Sequence, residues 1–387
     1  MSAQQAQPGR RAFVFVGGGT GGHIYPALAI IEQLRIIDPD AGVHILCSNR
    51  AIDAEILGKE DVPFSSIPAM PVSKHPRGLM RFISSWGPSV CAARQQIQRF
   101  KQTHDSVTVV AMGGFVAAPG ARAGHTEGVP VILVNLDAVP GKANMLIARK
   151  AKQIFTAAQI AHPNNRFDSW QPTRPIVRSA TADSITPQDA RARFGLDPHT
   201  NTLLITGGSQ GAASITNFVR TMATQCPQAF AQWQLIHQVG KKMSDSAIDE
   251  LRSAYRDAQI NAWVERYIDQ MGTALAAADV SIGRCGAGTV AECWAARLPS
   301  VFFPYPHHQD EHQKHNAQVL VDAGAAIVLD DLTDADANFA RHRDAFVRVL
   351  ESDEIRSRMY AGFADLPEPD GALEIARSLM RIESPIR

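Results

Sequence analysis

Short apolar runs alternate along this chain with longer stretches whose apolar positions recur every three or four residues. In the first half the short runs are Ala12–Val16, Val43–Cys47, Val107–Ala111 and Val131–Val134, each followed by a turn and a helical pattern. Strands separated by helices in this way are the signature of βαβ units on a parallel sheet. The rhythm breaks over 162–190, where four prolines among polar residues predict a connector. It restarts with Asn201–Thr206, Trp233–Val239, Asp279–Ile282 and Ser300–Phe303 as strands. A strand, a glycine turn and a helix therefore open each half. The pattern predicts an α/β protein of two Rossmann-like domains, residues 11–178 and 179–366. A last helical stretch, 371–387, is assigned back to the first domain. Ligands of such sheets bind outside the carboxyl ends of the strands, so the two glycine turns are expected to border an interdomain cleft.

Composition narrows the class. A length of 387 residues favours two domains, and 45% hydrophobic with 20% charged residues describes a globular protein with sizeable cores. Formal net charge is zero, so no global field draws the molecule to nucleic acid, and any basic surface is local. The five cysteines, at 47, 91, 226, 285 and 293, lack CxxC spacing and fit a reducing compartment. The apolar run behind Arg10 and Arg11 stops at Val16, too short for a signal-peptide core. No apolar stretch is long enough to span a bilayer, and a cytoplasmic protein is expected.

Four loops carry candidate chemistry. The first, "FVFVGGGTGGHIYPALAI" (13–30), matches the dinucleotide spacing at Gly17, Gly19 and Gly22. Its glycines permit close backbone approach to phosphate oxygens, and the helix behind them contributes its positive end. A dinucleotide site also needs an acid at the end of the second strand; here "HILCSNR" (44–50) has none before Asp53. Gly141-Lys142 and Gly240-Lys241 do not complete a Walker motif either. His23 follows the glycines at the first helical turn, where the positive field disfavours imidazolium, leaving a neutral ring suited to act as general base. The second loop, "AMGGFVAAPGARAG" (111–124), repeats the strand end and Gly-Gly turn. The third, "TGGSQGA" (206–212), offers a serine and backbone N–H groups to a diphosphate. The fourth is "GRCGAGTVAECWAARLPS" (283–300), in which Glu292 lies one turn into a helix, placed to accept two hydrogen bonds from a ribose diol. Downstream, His307, His308, His312 and His315 suit a polar sugar-binding loop better than a metal site.

From Val62 to His104 the chain has no Asp or Glu. Lys74, Arg77, Arg81, Arg94, Arg99 and Lys101 fall in this window, with Leu79, Met80, Phe82, Ile83 and Trp86 between them near helical spacing. Apolar anchors flanked by cations predict contact with an anionic membrane surface, with Lys74, Arg77 and Arg81 beside the anchors.

Six segments in order, "GGGTGGHIYPALAI", "MGGFVAAPG", "GGSQGA", "ERYIDQM" (265–271), "GAGTVAE" (286–292) and "HQKHNA" (312–317), resemble the MurG family of bacterial peptidoglycan glycosyltransferases. The resemblance spans nearly the whole chain. It implies the GT-B fold and an inverting transfer of N-acetylglucosamine from UDP-N-acetylglucosamine to muramoyl-pentapeptide on undecaprenyl diphosphate. It implies no cofactor and no catalytic metal, and a peripheral enzyme at the cytoplasmic face of the plasma (inner) membrane. By position it gives Thr20, Gly21 and Gly22 to the first glycine loop, His23 to the base, and Gly113 and Gly114 to the acceptor diphosphate. Arg178 and Ser209 fall on donor-phosphate positions, and Ile268 on the residue whose backbone meets uracil. Ala287, Gly288, Thr289, Val290, Ala291 and Glu292 match the helix start around the nucleotide, and Gln313 a glutamine addressing the sugar.

One block departs. Where the family commonly has His-Glu-Gln-Asn, this chain reads "VNLD", Val134–Asp137. Asp137 takes the place of an asparagine at the donor sugar, and an ionised Asp accepts hydrogen bonds without donating them. The alternatives left open by the residues are a GT-B UDP-sugar transferase with another acceptor, a UDP-sugar epimerase, and a catalytically silent nucleotide-sugar-binding protein.

Overall fold

The structure, a computed structural model, describes residues 9–73, 75–179, 185–208 and 211–382. The chain forms two compact units, Met1–Arg178 with Asp370–Arg387, and Ser179–Pro369.

The first unit is built on seven parallel strands: β1 Arg11–Val16, β2 Gly42–Ser48, β3 Phe64–Ile67, β4 Ser106–Ala111, β5 Val131–Asn135, β6 Gln153–Thr156 and β7 Gln171–Pro172. Their order in the sheet is β3-β2-β1-β4-β5-β6-β7. β1 and β4 are central, with Val14, Val16, Val109 and Ala111 fully buried. Such strands read as continuous apolar runs because helices cover both faces of a parallel sheet. The strand order reverses between β1 and β4, which opens a crevice at their carboxyl ends. Val16 and Ala111 are register partners there, so the glycine turns that follow them are neighbours.

The terminal helix Gly371–Leu379 belongs to this unit and buries Ile375, Ala376 and Leu379. Thr173 Oγ1 donates to Glu374 at 2.7 Å, Gln153 Nε2 to Ser378 Oγ at 3.0 Å, and Arg174 to Asp370 at 2.7 Å.

The second unit repeats the plan with β8 Asn201–Thr206, β9 Trp233–Gln238, β10 Ala262–Glu265, β11 Val280–Gly283, β12 Ser300–Phe302 and β13 Ala326–Val328. Their order is β10-β9-β8-β11-β12-β13, again parallel, with the reversal between β8 and β11. Its core is aromatic: Phe218 lies 5.2 Å from Phe303 and 5.5 Å from Phe346, ring centre to ring centre.

The expected connector, 162–190, is more structured than its composition suggests. It contributes β7, buries Trp170 and Ile176, and leads into a helix, Pro187–Arg193, whose first turn is capped by Thr186. Among the described residues no helix is long and apolar enough to cross a membrane.

Candidate functional site

In the first unit the site forms at the reversal between β1 and β4. The helix Gly21–Ile37 begins directly after the first glycine turn, and no side chain caps its start. The helix Gly114–Thr126 begins after the second turn, also uncapped and with no acid in its first turn. Uncapped N–H groups and two positive helix ends on one crevice favour an anion.

The first turn is held from below. Asp53, fully buried, accepts the Gly19 N–H at 2.9 and 2.7 Å on its two oxygens. It also accepts the Ser48 N–H at 2.9 Å and the Ser48 hydroxyl at 2.7 Å. Arg50 donates to the Gly19 carbonyl at 2.8 Å, and its guanidinium lies 5.0 Å from the centre of the Phe115 ring. The acid that comes too late to hold a ribose thus fastens the glycine loop itself.

His23 stands in the first turn of its helix, half-buried, with Nδ1 3.3 Å from Thr20 Oγ1. Burial holds its basicity below the usual imidazole value, and the carboxylates of Asp137 and Asp53 act in the opposite sense. The second glycine turn seats against this ring. A Cβ on Gly113 would lie 3.1 Å from His23 Cδ2 and 3.2 Å from Nε2, and one on Gly114 would lie 3.3 Å from Cε1. Both glycines have positive φ, +96° and +73°, which side chains rarely adopt. Thr20, His23, Gly113, Gly114 and Asp137 are therefore brought together.

The departing block is structural as well as polar. Asn135 is fully buried at the end of β5; its Nδ2 donates to the Asp137 carbonyl at 2.7 Å and to Thr156 Oγ1 at 3.1 Å. Asn144 Nδ2 donates to Asn135 Oδ1 at 2.9 Å. No local pattern in the sequence singles out Asn144.

Arg178 lies elsewhere in the same unit. Its guanidinium forks onto Glu32 at 2.6 Å and Glu60 at 2.6 and 3.1 Å, and these carboxylates raise its already high basicity against the effect of burial.

In the second unit the corresponding reversal brings the turn after β8 beside the loop after β11. Ser209 lies outside the described residues. Gly208 is held by its N–H to Thr206 Oγ1 at 3.1 Å and by its carbonyl to Gln238 Nε2 at 2.9 Å. Gln238 Oε1 accepts the Ile268 N–H at 3.0 Å, so of the Ile268 backbone groups the carbonyl remains for a base. The helix Ala287–Ala295 starts uncapped at Gly286. Val290 is buried, while Ala287, Gly288, Thr289, Ala291 and Glu292 are half-buried. Burial raises the Glu292 carboxyl to about 7. Gln313 Oε1 accepts the Tyr305 N–H at 2.9 Å, which leaves its amide nitrogen as a donor. The His308 and His312 rings pack with centres 4.2 Å apart, tilted by 31°, and His312 Nδ1 lies 2.8 Å from Asp310.

Arg284 ties this end together. It pairs with Asp331 at 2.7 Å and donates to Ser214 Oγ and to the Phe303 and Pro304 carbonyls, each at 3.0 Å. Asp331 lies 47 positions downstream (331 less 284), beyond the reach of any local pattern.

The basic, apolar segment forms the helix Pro76–Lys101, whose buried residues, Ser89, Ala93 and Ile97, all fall in its second half. Leu79, Met80 and Ile83 are 43%, 70% and 63% exposed. Phe82 and Trp86 pack together at 5.9 Å. Arg94 and Lys101 are engaged by Glu127, whereas Arg77 and Arg81 are exposed; Lys74 lies outside the described residues.

Comparison with known proteins agrees with this arrangement. Residues 13–156 match the glycosyltransferase family 28 N-terminal domain, and residues 202–336 the family 28 C-terminal domain. A UDP-N-acetylglucosamine–N-acetylmuramyl-(pentapeptide) pyrophosphoryl-undecaprenol N-acetylglucosamine transferase of Streptomyces avermitilis is 34% identical, covering 82% of this chain and 84% of its own. The protein of the same name from Moorella thermoacetica is 32% identical, covering 93% and 96%. The crystal structure of Acinetobacter baumannii MurG superposes with a TM-score of 0.68 at 23% identity, over 97% of this chain and 100% of that one. Two family domains in order, with relatives this similar over most of their length, place the chain in glycosyltransferase family 28, and within it in the MurG family.

Proposed function

We propose that the protein is an inverting glycosyltransferase that moves N-acetylglucosamine from UDP-N-acetylglucosamine to undecaprenyl-diphosphate-linked muramoyl-pentapeptide, at the cytoplasmic face of the plasma membrane. The observation that carries this reading, within the family, is the His23 ring, its affinity for protons lowered by burial, seated against the Gly113-Gly114 turn at the reversal of the first sheet.

The acceptor hydroxyl attacks the anomeric carbon of the donor sugar in line, through an oxocarbenium-like state. The new glycosidic C–O bond forms as the bond to the β-phosphate oxygen breaks, and UDP leaves with that electron pair. His23 takes the hydroxyl proton, and Thr20 at Nδ1 orients the ring. The uncapped starts of the helices at Gly21 and Gly114 receive the lipid diphosphate. In the second unit Ser209 and the helix start at Ala287 hold the nucleotide phosphates; the N–H groups of that helix start stabilise the growing negative charge. The Ile268 carbonyl meets the base, Glu292 the ribose, and Gln313 Nε2 the donor sugar. Asp137 faces the site as an acceptor-only group in place of an amide. Arg178 reaches the donor phosphates by exchanging Glu32 and Glu60 for phosphate oxygens.

Incubation of the purified protein with labelled UDP-N-acetylglucosamine and the lipid-linked acceptor in detergent tests the reading. Label should pass to the lipid with one UDP released per transfer. No transfer, together with no UDP-sugar binding by calorimetry, overturns it.

A further inference from the structure

Among the described residues Asn144 has a buried acceptor atom without a partner, and it lies beside the glycine turn that borders His23. The residue is 8% exposed, and among the described residues its Oδ1, itself buried, has no hydrogen-bond partner. Such an acceptor is costly to bury unless something completes it.

The orientation of the amide follows from its neighbours. The Asp137 main-chain carbonyl can only accept, so the Asn135 atom 2.7 Å from it is Nδ2. Asn135 Oδ1 is then the atom facing Asn144, and it can only accept. The Asn144 atom 2.9 Å away is therefore Nδ2, and Oδ1 is turned the other way. That direction is the glycine turn: a Cβ on Gly113 would lie 3.2 Å from Asn144 Oδ1 and 3.2 Å from His23 Nε2. With glycine at 113, the amide oxygen and the imidazole nitrogen both border the same point above the turn.

We propose that Asn144 Oδ1 binds a second hydrogen-bond donor of the sugar that receives the transfer, an O–H or amide N–H adjacent to the attacking hydroxyl, and so selects and aligns that sugar at His23. Asn135 is the positioning residue that fixes the direction of the Asn144 amide. This rests on the transferase reading above.

The test is a cycle of substrate and protein variants. Acceptors lacking one sugar hydroxyl at a time, and one with its acetamido nitrogen methylated, are assayed with the wild-type protein and with Asn144→Ala. One analogue should raise the wild-type acceptor KM about tenfold, since it leaves the buried oxygen unpaired. Asn144→Ala should show the same increase with the full acceptor and no further increase with that analogue. Which analogue behaves so identifies the donor as O–H or N–H. Donor KM and calorimetric UDP-sugar affinity should not change. Additive losses, or an acceptor KM unaltered by Asn144→Ala, would mean that water alone completes Oδ1, and would overturn the proposal. If Asn144→Ala does not fold, the wild-type series decides alone, because acceptor KM values all within twofold overturn it as well. Failure of the transferase reading is distinct: no acceptor would then be glycosylated by the wild-type protein.

Discussion

Both carboxylate oxygens of Asp53 converge on the backbone N–H of Gly19, 34 residues earlier in the chain, at 2.9 and 2.7 Å. The same carboxylate takes the N–H and hydroxyl of Ser48, so one buried acid joins the end of β2 to the glycine turn after β1. Two of the three groups it serves are main-chain donors that cannot turn away. Asp53→Asn sets an NH2 against one of them, and Asp53→Ala leaves them buried and unpaired. Charge-assisted bonds of this kind contribute about 1.5–3 kcal/mol each, with incomplete additivity. We expect Asp53→Ala to lose about 3 kcal/mol of stability and to raise acceptor KM more than donor KM. Urea unfolding and steady-state kinetics check both. A variant as stable as wild type would show that the loop holds its shape without the clamp.

The His23 ring gives the pH dependence its direction. Burial lowers its affinity for protons, so the neutral, base-competent form persists below the ordinary imidazole value near 6.5. Acceptor kcat/KM should therefore stay level from pH 8 to about 6.5 and fall only in more acidic solution. His23→Ala should lower kcat by about 10²–10⁴ while leaving UDP-sugar affinity within twofold, and should abolish that acidic limb. An acidic limb that survives in His23→Ala assigns the base elsewhere.

The central strands and glycine turns were legible because each is local. Val107–Ala111 is an uninterrupted apolar run, and Gly113-Gly114 follows it at once. The short edge strands were not: Phe64–Ile67 is half polar, and Ala326–Val328 is three residues inside a helical context. What pattern reading missed in the site is held together across distance. Asp53 was visible only as an acid too late for a ribose, since nothing around it marks the turn back to Gly19. Asn144 looks like any polar residue of a short helix until Asn135 fixes its amide. Arg284 and Asp331 meet because β11 and β13 share a sheet, a relation that no spacing encodes.

Arg178 is held by two acids, Glu32 and Glu60, with about a quarter of each side chain exposed. If its guanidinium exchanges these partners for donor phosphates, removing one competitor favours the exchange. Glu60→Gln should lower donor KM several-fold at low ionic strength and leave acceptor KM alone. A loss of thermal stability with donor KM unchanged would make the pair a structural clamp and nothing more.

If Glu292 holds the ribose, its carboxyl makes nucleotide binding depend on pH. Its carboxyl is raised to about 7, against about 4.5 in the unfolded chain, so between these values the folded protein keeps a proton that the unfolded chain has released. Stability from this group is therefore full below about 4.5 and is lost as pH rises through about 7. Glu292→Gln, neutral throughout, should gain Tm relative to wild type at pH 8 but not at pH 5. The difference should be on the order of 2 kcal/mol. A ribose diol donates to the ionised form, so UDP affinity of the wild type should climb as pH rises through 7, and that of Glu292→Gln should stay flat. A pH-independent wild-type affinity removes Glu292 from the ribose.

Among the described residues the buried side chains of the helix Pro76–Lys101 and its ion pairs to Glu127 all lie in its second half. Glu127 accepts from Arg94 at 2.7 Å and Gln98 at 3.0 Å, beside the buried Ala93 and Ile97. The opening turns of the helix expose Leu79, Met80 and Ile83, and Arg77 and Arg81, one turn apart on the helix, are exposed as well. Burying an exposed Leu, Ile or Met side chain yields about 1.5–3 kcal/mol when complete, and a basic residue at an anionic surface adds about 1 kcal/mol. Either contribution alone gives weak attachment, so a membrane contact through this helix needs both. Met80→Asp with Ile83→Asp should reduce sedimentation with phosphatidylglycerol vesicles by at least tenfold. Arg77→Gln with Arg81→Gln should weaken it about tenfold on those vesicles and not at all on zwitterionic ones. All four substitutions lie on exposed positions, so transfer to a short-chain, water-soluble acceptor should keep its wild-type rate. Vesicle binding that ignores both pairs would place the membrane contact on another face of the protein.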